Sequence, residues 1–174
     1  MRVLVQDGNI TDVPADALIT TVSSAQSRNG AVDRAIRQVA GGYFHDQVPV
    51  EHTKGCFSGQ TLWAPNPPAL RLPFDGVLFV IDNLDLPLRE IVRCALQGAV
   101  QNGRYTIAMP LMRTGQAAGR VQEPSGSALS EMALALRLFR SGYQRHAISD
   151  ATVVVYDSPK LAQTMREMLA AGEV

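Results

Sequence analysis

The sequence predicts one α/β domain over residues 1–174, with a mostly parallel or mixed central sheet and helices on both of its faces. Short apolar runs of five or six residues alternate with longer segments in which apolar residues recur at helical spacing. Chains that alternate in this way form a sheet layered between helices. The run at 77–82 is almost wholly apolar, which is typical of a strand that is covered on both faces.

The predicted elements follow one another without internal repeats. Strands are predicted by short β-branched and apolar runs, at 2–6, 17–22, 58–63, 77–82, 105–109 and 151–156. Helices are predicted by amphipathic stripes, at 32–39, 88–100, 128–139 and from 159 onward. Gly41 and Gly42 are expected to end the first helix, and Ser158 with Pro159 to begin the last one. Residues 43–54 show no clear period, and the prolines between 65 and 73 predict a stiff loop.

Two loops of small residues carry the first functional prediction. The loop at 23–31 opens into a helix, so backbone N–H groups and the positive end of the helix dipole point at one spot. The loop at 110–120 follows another strand and contains glycines that allow a ligand close to the backbone. Loops at the carboxyl ends of parallel strands are where ligands bind. We therefore expect the two loops to hold a diphosphate between them; plain surface connections are the alternative.

The composition narrows the classes of function. Sixteen basic residues balance sixteen acidic ones, so no overall field attracts extended nucleic acid. Cys56 and Cys94 show neither metal-ligand nor disulfide spacing, and the histidines are scattered, so we expect no metal and no cofactor. The chain shows no signal-peptide pattern and no membrane-spanning apolar run, so we expect a cytoplasmic protein.

Four segments, taken in order, resemble the macro domain, a module that binds ADP-ribose and in some members hydrolyses ADP-ribosyl or related bonds. The segment 8–19 is similar to the family opening, in which Gly-Asp-Ile-Thr precedes Asp-Ala-Ile-Val. The segment 29–36 is similar to the first phosphate loop, 110–119 to the second, and 154–157 to the last strand with its terminal aromatic. The resemblance covers most of the chain and implies a three-layer α/β/α fold. It also implies ADP-ribose, a related nucleotide or an ADP-ribosylated protein as the ligand.

The resemblance further implies a set of ligand-binding positions. Asn9, followed by Ile10, would face the adenine, and Tyr156 would pack on the adenosine half. Ser23 stands where the family has an asparagine that contacts the distal ribose. The two loops would hold the diphosphate through Asn29, Gly30, Ala31, Val32, Arg113, Thr114, Gly115, Gln116 and Ala117. Arg113 occupies a position that is usually small, so its guanidinium either clamps a phosphate or fills the groove and excludes the nucleotide.

Asp33 is the candidate catalytic residue. It matches a position where hydrolytic members of the family often carry an aspartate that acts on the water or the ribose at the anomeric carbon. The same carboxylate also suits a structural role, as a partner of the helix dipole and of Arg37 four residues on. The implied activities are hydrolysis of an ADP-ribosyl bond or removal of phosphate from an ADP-ribose phosphate, and the choice between turnover and binding alone stays open.

A second function is favoured by the positions that depart from the family pattern. Ser23, Ala31 and Arg113 replace residues that contact or admit the nucleotide in the family. A degenerate macro-like domain of this kind would act as an interaction or assembly module without nucleotide turnover. A groove closed by a salt-bridged Arg113 would distinguish this module from a binding domain.

Overall fold

The computed structural model describes residues 1–24, 30–114, 125–142 and 147–171. Its strands are β1 (Arg2–Asp7), β2 (Ala17–Val22), β3 (Thr61–Pro65), β4 (Gly76–Ile81), β5 (Thr106–Pro110) and β6 (Asp150–Val155). Its helices are α1 (Ala31–Ala40), α2 (Tyr43–Gln47), α3 (Val50–Thr53), α4 (Leu88–Gln101), α5 (Ser125–Ser141) and α6 (Pro159–Ala170). Two short 3-10 helices, Ile10–Asp12 and Pro68–Leu70, precede β2 and β4.

The strands form one mixed sheet in the order β1-β6-β5-β2-β4-β3. Every neighbouring pair is parallel except β3 with β4. The carboxyl ends of β1, β6, β5, β2 and β4 therefore lie along one edge of the sheet, which we call the carboxyl rim. Because β2 and β5 are neighbours, the two predicted loops begin side by side on this rim. The sequence predicted this position, since both loops follow strands of a parallel sheet.

Helices cover both faces of the sheet, which confirms the predicted three layers. On one face, α4, α5 and α6 contribute buried side chains such as Leu96, Met132 and Met165 to a continuous apolar core. On the other face, a second core contains Ile36 of α1 and Phe44 of α2. Every residue of β4 is buried, as expected for a strand with a core on each side.

Two segments and one helix cap differ from the sequence prediction. β3 begins three residues later than predicted, because Gly59 adopts a φ of 89° in a turn and its N–H donates to the carbonyl of Ile81. Residues 43–54, which show no period in the sequence, form α2 and α3, two helices too short to display an apolar stripe. Ser158 lies at the predicted N-cap of α6, but its side chain makes no capping hydrogen bond.

Both cysteines have free thiols that are half-buried. The Cys94 side chain of α4 packs against the turn at Gly59, where an added Cβ would come within 2.8 Å of its Sγ. Among the helices that the structure describes, none has the length and apolar character needed to cross a membrane.

Candidate functional site

The carboxyl rim brings together several of the predicted site residues. Ser23 follows β2, Thr114 lies shortly after β5, and Tyr156 follows β6 with 72% of its surface exposed. These three strands lie side by side in the order β6-β5-β2, so the residues that follow them line one edge of the sheet. The predicted positions Asn29, Gly115, Gln116 and Ala117 lie outside the described residues.

Asn9 and Ile10 lie at the same rim. The N–H of Gly8 donates to the carbonyl of Val155 at 3.0 Å, which holds this segment beside the end of β6 and hence beside Tyr156. The side-chain oxygen of Asn9 accepts from the N–H of Thr11 at 3.2 Å and caps the 3-10 helix, while Ile10 is buried. The amide oxygen of Asn9 has two lone pairs, so it could accept from an adenine amino group while it still accepts from the N–H of Thr11.

The first loop ends in the N-terminus of α1. Gly30 is the N-cap, and its N–H donates to Oδ2 of Asp33 at 3.2 Å. Ala31 and Val32 are the first residues of the helix, and neither has a positive φ, so the alanine is accommodated without backbone strain. The first N–H groups of a helix have no partner within it. They are therefore the donors that this end of the loop offers to an anion.

Asp33 forms a buried pair with His45, which sequence reasoning did not place in the site. Oδ1 of Asp33 lies 3.1 Å from Nε2 of His45, and both side chains are buried. His45 lies on α2, which the turn at Gly41–Gly42 folds back beside α1, and its ring meets the edge of Phe79 with centroids 5.7 Å apart. The expected Arg37 partner is not found in the ion pairs of the described residues, where Asp33 pairs with His45.

The other ring nitrogen of His45, Nδ1, makes no hydrogen bond to the described residues, although it is buried. A histidine whose single hydrogen bond goes to a carboxylate orients that carboxylate, and the carboxylate in turn selects the tautomer of the ring. His45 and the N–H of Gly30 therefore hold the two oxygens of the Asp33 carboxylate. In the sequence, the signal for His45 is a polar residue directly after the apolar Phe44.

Arg113 is held inside the protein by Asp82. Its Nε donates to Oδ2 of Asp82 at 2.9 Å and its Nη2 to Oδ1 at 2.7 Å, while Nη2 also reaches the carbonyl of Leu86 at 2.8 Å. Both charged side chains are only 4% exposed. Because β2 lies between β5 and β4, this pair reaches across the end of β2. Of the two alternatives for Arg113, a phosphate clamp or a side chain that fills the groove, neither is decided by this pair; the guanidinium is buried and bonded to Asp82.

Unusual backbone conformations also gather at this rim. Leu84 after β4, Arg113 after β5 and Asp157 after β6 have φ values of 65°, 57° and 50°. Such conformations cost about 1–3 kcal/mol each and persist where the surroundings enforce them, often at functional sites. Asp82 supplies part of that enforcement, since its Oδ1 accepts from the N–H of Leu84 at 3.0 Å as well as from Arg113.

Ser24 ties the first loop to the end of β4. Its N–H and its hydroxyl both donate to Oδ1 of Asn83, each at 2.9 Å. On the second loop, the hydroxyl of Thr114 donates to the carbonyl of Leu111 at 2.8 Å and closes a turn. The described first residues of both loops are therefore held at the rim by hydrogen bonds.

Solved structures match the chain, whereas no family model and no curated protein sequence does. The Trypanosoma brucei macrodomain in complex with ADP-ribose matches with a TM-score of 0.71 at 21% identity, over 97% of this chain and 68% of that chain. The macro domain of ganglioside induced differentiation associated protein 2 matches with a TM-score of 0.76 at 16% identity, over 97% and 84%. The Oceanobacillus iheyensis macrodomain with ADP matches with a TM-score of 0.71 at 19% identity, over 96% and 89%.

These similarities establish the fold. Eight solved macrodomain structures match with TM-scores of 0.69–0.76, which confirms the fold that the four sequence segments predict. The chain spans 65% of the length of the Trypanosoma brucei macrodomain in crystal form 1. This chain therefore has the macrodomain fold with a divergent sequence.

Proposed function

We propose that this domain, which has the macrodomain fold, binds ADP-ribose or a close derivative along its carboxyl rim. One observation carries the proposal. Both loops begin at the ends of the neighbouring strands β2 and β5, and the exposed Tyr156 lies on the same edge of the sheet. The solved macrodomains that match this fold include complexes with ADP-ribose and with ADP. An aromatic ring beside a set of backbone donors suits a ligand with an adenosine half and a diphosphate.

The proposed orientation follows the order of the strands. The adenosine half lies near Asn9, Ile10 and Tyr156 at the β6 end. The diphosphate lies between the N-terminus of α1 and the loop that begins at Leu111. The distal ribose lies near Ser23, after β2. In this arrangement a serine hydroxyl, with one proton to donate, takes the place of the family's amide.

Titration of the protein with ADP-ribose in a calorimeter tests the binding proposal. We expect saturable heat, and we expect Tyr156→Ala to weaken affinity by about fivefold because a stacking contact is lost. Tyr105→Ala is the matched control, because Tyr105 is also exposed but precedes β5 at the opposite edge of the sheet. Absence of heat and of any thermal shift at millimolar ADP-ribose would contradict the proposal.

The catalytic part of the proposal assigns hydrolysis to Asp33. Its carboxylate would accept a proton from a water whose oxygen bonds to the anomeric carbon of the distal ribose. The bond from that carbon to the leaving group breaks, and the leaving group takes up the proton. His45 acts through Asp33 by holding the carboxylate in one orientation, so it is a positioning residue.

Turnover of an ADP-ribosylated peptide and of ADP-ribose 1″-phosphate tests this assignment. Asp33→Asn should reduce turnover by roughly a hundredfold or more while changing ADP-ribose affinity by less than about threefold. His45→Gln, which keeps a hydrogen-bonding group near Asp33, should retain more turnover than His45→Ala. Equal loss of binding and turnover in Asp33→Asn would assign the carboxylate to the fold instead of to catalysis.

One observation favours an interaction module as the second candidate function. The guanidinium of Arg113 is buried against Asp82, where a nucleotide-binding loop of the family carries a small residue. A protein of this kind would fold normally and show no response to ADP-ribose, ADP or AMP. The calorimetric titration therefore separates the two candidates.

A further inference from the structure

A groove with a volume of about 370 Å³ lies between α4 and α5. Its α4 wall carries Arg89, Arg93 and Gln97, and its α5 wall carries Leu138 and Phe139. Arg89, Arg93 and Leu138 are exposed, so the groove opens to solvent on the side of the helices that faces away from the sheet. Cavities that hold small ligands have volumes of about 300–1,000 Å³. The groove is therefore large enough to receive one bulky side chain.

The α5 wall of the groove is apolar. Ala135 and Phe139 are almost fully buried, whereas Leu138 exposes 58% of its surface. A single exposed apolar residue is common in soluble proteins and carries no functional meaning by itself. The functional argument therefore depends on the opposite wall, where the polar side chains lie.

Arg93 is held flat along the α4 wall. Its Nε donates to Oε2 of Glu90 at 2.8 Å and its Nη1 to Oε1 of Gln97 at 2.7 Å. Its Nη2 lies 3.9 Å from Sγ of Cys94. A guanidinium is planar and donates its hydrogen bonds within that plane. Because all three nitrogens already have partners along α4, the surface that Arg93 offers to another molecule is a face of the plane.

The charges around the groove are balanced. Arg93 pairs with Glu90, and Nη1 of Arg89 donates to both carboxylate oxygens of Glu131, at 3.0 and 3.3 Å. Since each guanidinium has its own counter-ion, the lining has no net charge with which to attract a phosphate or a strongly charged peptide. A neutral occupant complements such a lining, and a guanidinium face attracts the π-face of an aromatic ring.

The protein makes a contact of this kind elsewhere. The guanidinium carbon of Arg104 lies 4.4 Å from the centroid of the Trp63 ring, and Nη1 of Arg104 donates to Asp75 at 3.3 Å. Arg104 thus pairs with a carboxylate through its edge and stacks on an aromatic ring through its face. Arg93 has the carboxylate at its edge, but no ring from the described part of the chain stacks on its face.

We infer that the groove between α4 and α5 binds a protein partner that inserts one neutral aromatic side chain between Arg93 and the apolar α5 wall. Aromatic anchors that fill pockets are typical of the residues that dominate protein interfaces. The exposed surface of Leu138 adds an apolar contact for the residues that flank the anchor, which favours a polypeptide over a small molecule. This groove lies on the outer side of the helices, so the inference does not depend on nucleotide binding at the carboxyl rim.

Nuclear magnetic resonance of the complete ¹⁵N-labelled chain tests the inference with three probes. These are a capped Gly-Gly-Trp-Gly-Gly peptide, the same peptide with leucine in place of tryptophan, and free indole. We expect the tryptophan peptide to shift the backbone amides of Gln97 and Gly142 and the Nε–H of Arg93 in a saturable way at millimolar concentration. The leucine peptide should bind about two- to fivefold more weakly, because it lacks the stacking contact.

Two variants test the part played by the guanidinium face. Arg93→Lys keeps the charge and removes the planar group, so it should weaken binding of the tryptophan peptide by about two- to fivefold. Arg2→Lys is the matched control, because Arg2 also forms an exposed ion pair, with Asp150, but lies on β1 in another part of the molecule. Arg2→Lys should bind the peptide as tightly as the wild type does.

Each outcome supports or overturns the inference. Saturable shifts at the groove that prefer tryptophan, and that Arg93→Lys weakens while Arg2→Lys does not, support it. Absence of shifts, or equal affinities for the tryptophan and leucine peptides, overturns the aromatic contact. Indole that binds as tightly as the tryptophan peptide makes the groove a small-molecule site instead. Sedimentation of the chain alone tests a second copy as the occupant: a dimer that Leu138→Asp dissociates would overturn the assignment to a different protein.

Discussion

Arg113→Met is expected to destabilise the domain by about 3–5 kcal/mol, because it leaves the carboxylate of Asp82 buried without its charged partner. Asp82 and Arg113 are each only 4% exposed, and water does not replace the two hydrogen bonds that the guanidinium provides. Methionine keeps most of the aliphatic part of the arginine side chain. The change in free energy of unfolding therefore reflects the lost ion pair more than lost packing. Urea denaturation followed by circular dichroism measures the change in free energy of unfolding.

A double-mutant cycle and an exposed pair serve as controls for this result. Asp82→Asn combined with Arg113→Met should be less destabilised than the sum of the two single variants, since the buried charge is removed together with its partner. Arg93→Met breaks an exposed pair with Glu90 on α4 and should change stability by less than about 1 kcal/mol. A loss for Arg113→Met as small as that for Arg93→Met would contradict the expectation.

Phe44→Ala is expected to cost about 3–5 kcal/mol, the range for removal of a fully buried aromatic side chain. The ring is 0% exposed and lies in the core beneath α1 and α2, with its centroid 5.9 Å from that of Phe74. It anchors the short helix α2, which has few other buried residues and carries His45. The same denaturation experiment measures the loss.

Phe57→Ala is the matched control for Phe44→Ala, because the substitution is chemically identical and the ring is exposed. We expect it to alter the free energy of unfolding by no more than about 0.5 kcal/mol. If Phe44→Ala were tolerated as well as Phe57→Ala, then neither α2 nor the position of His45 would depend on this buried ring.

Long elements with a clear period were predictable from the sequence, because their apolar residues recur at a fixed spacing along the side that faces the core. The stripe at 88–100 became α4, and the apolar run at 77–82 became the fully buried β4 with a shift of one residue. The joint position of the two loops was also predictable, since parallel strands place their carboxyl ends on one edge.

The side-chain pairs of the site were not predictable from the sequence. Asp33 and His45 meet because a turn and a five-residue helix fold back beside α1, and five residues are too few to show a period. Arg113 and Asp82 are separated by 31 residues and meet only because the strand order places β2 between β5 and β4. Asn83 likewise lies between two loops whose proximity depends on that order.

The first residues of the second loop are held by several hydrogen bonds within the protein itself. The N–H of Leu111 donates to the carbonyl of Val154 at 3.1 Å, the N–H of Met112 contacts Sδ of Met132 at 3.2 Å, and the next residue is Arg113. Ordering one residue of backbone costs about 1–2 kcal/mol of conformational entropy. For residues 111–114 this loss is incurred during folding, so a ligand that bound at this edge would meet backbone that is already ordered.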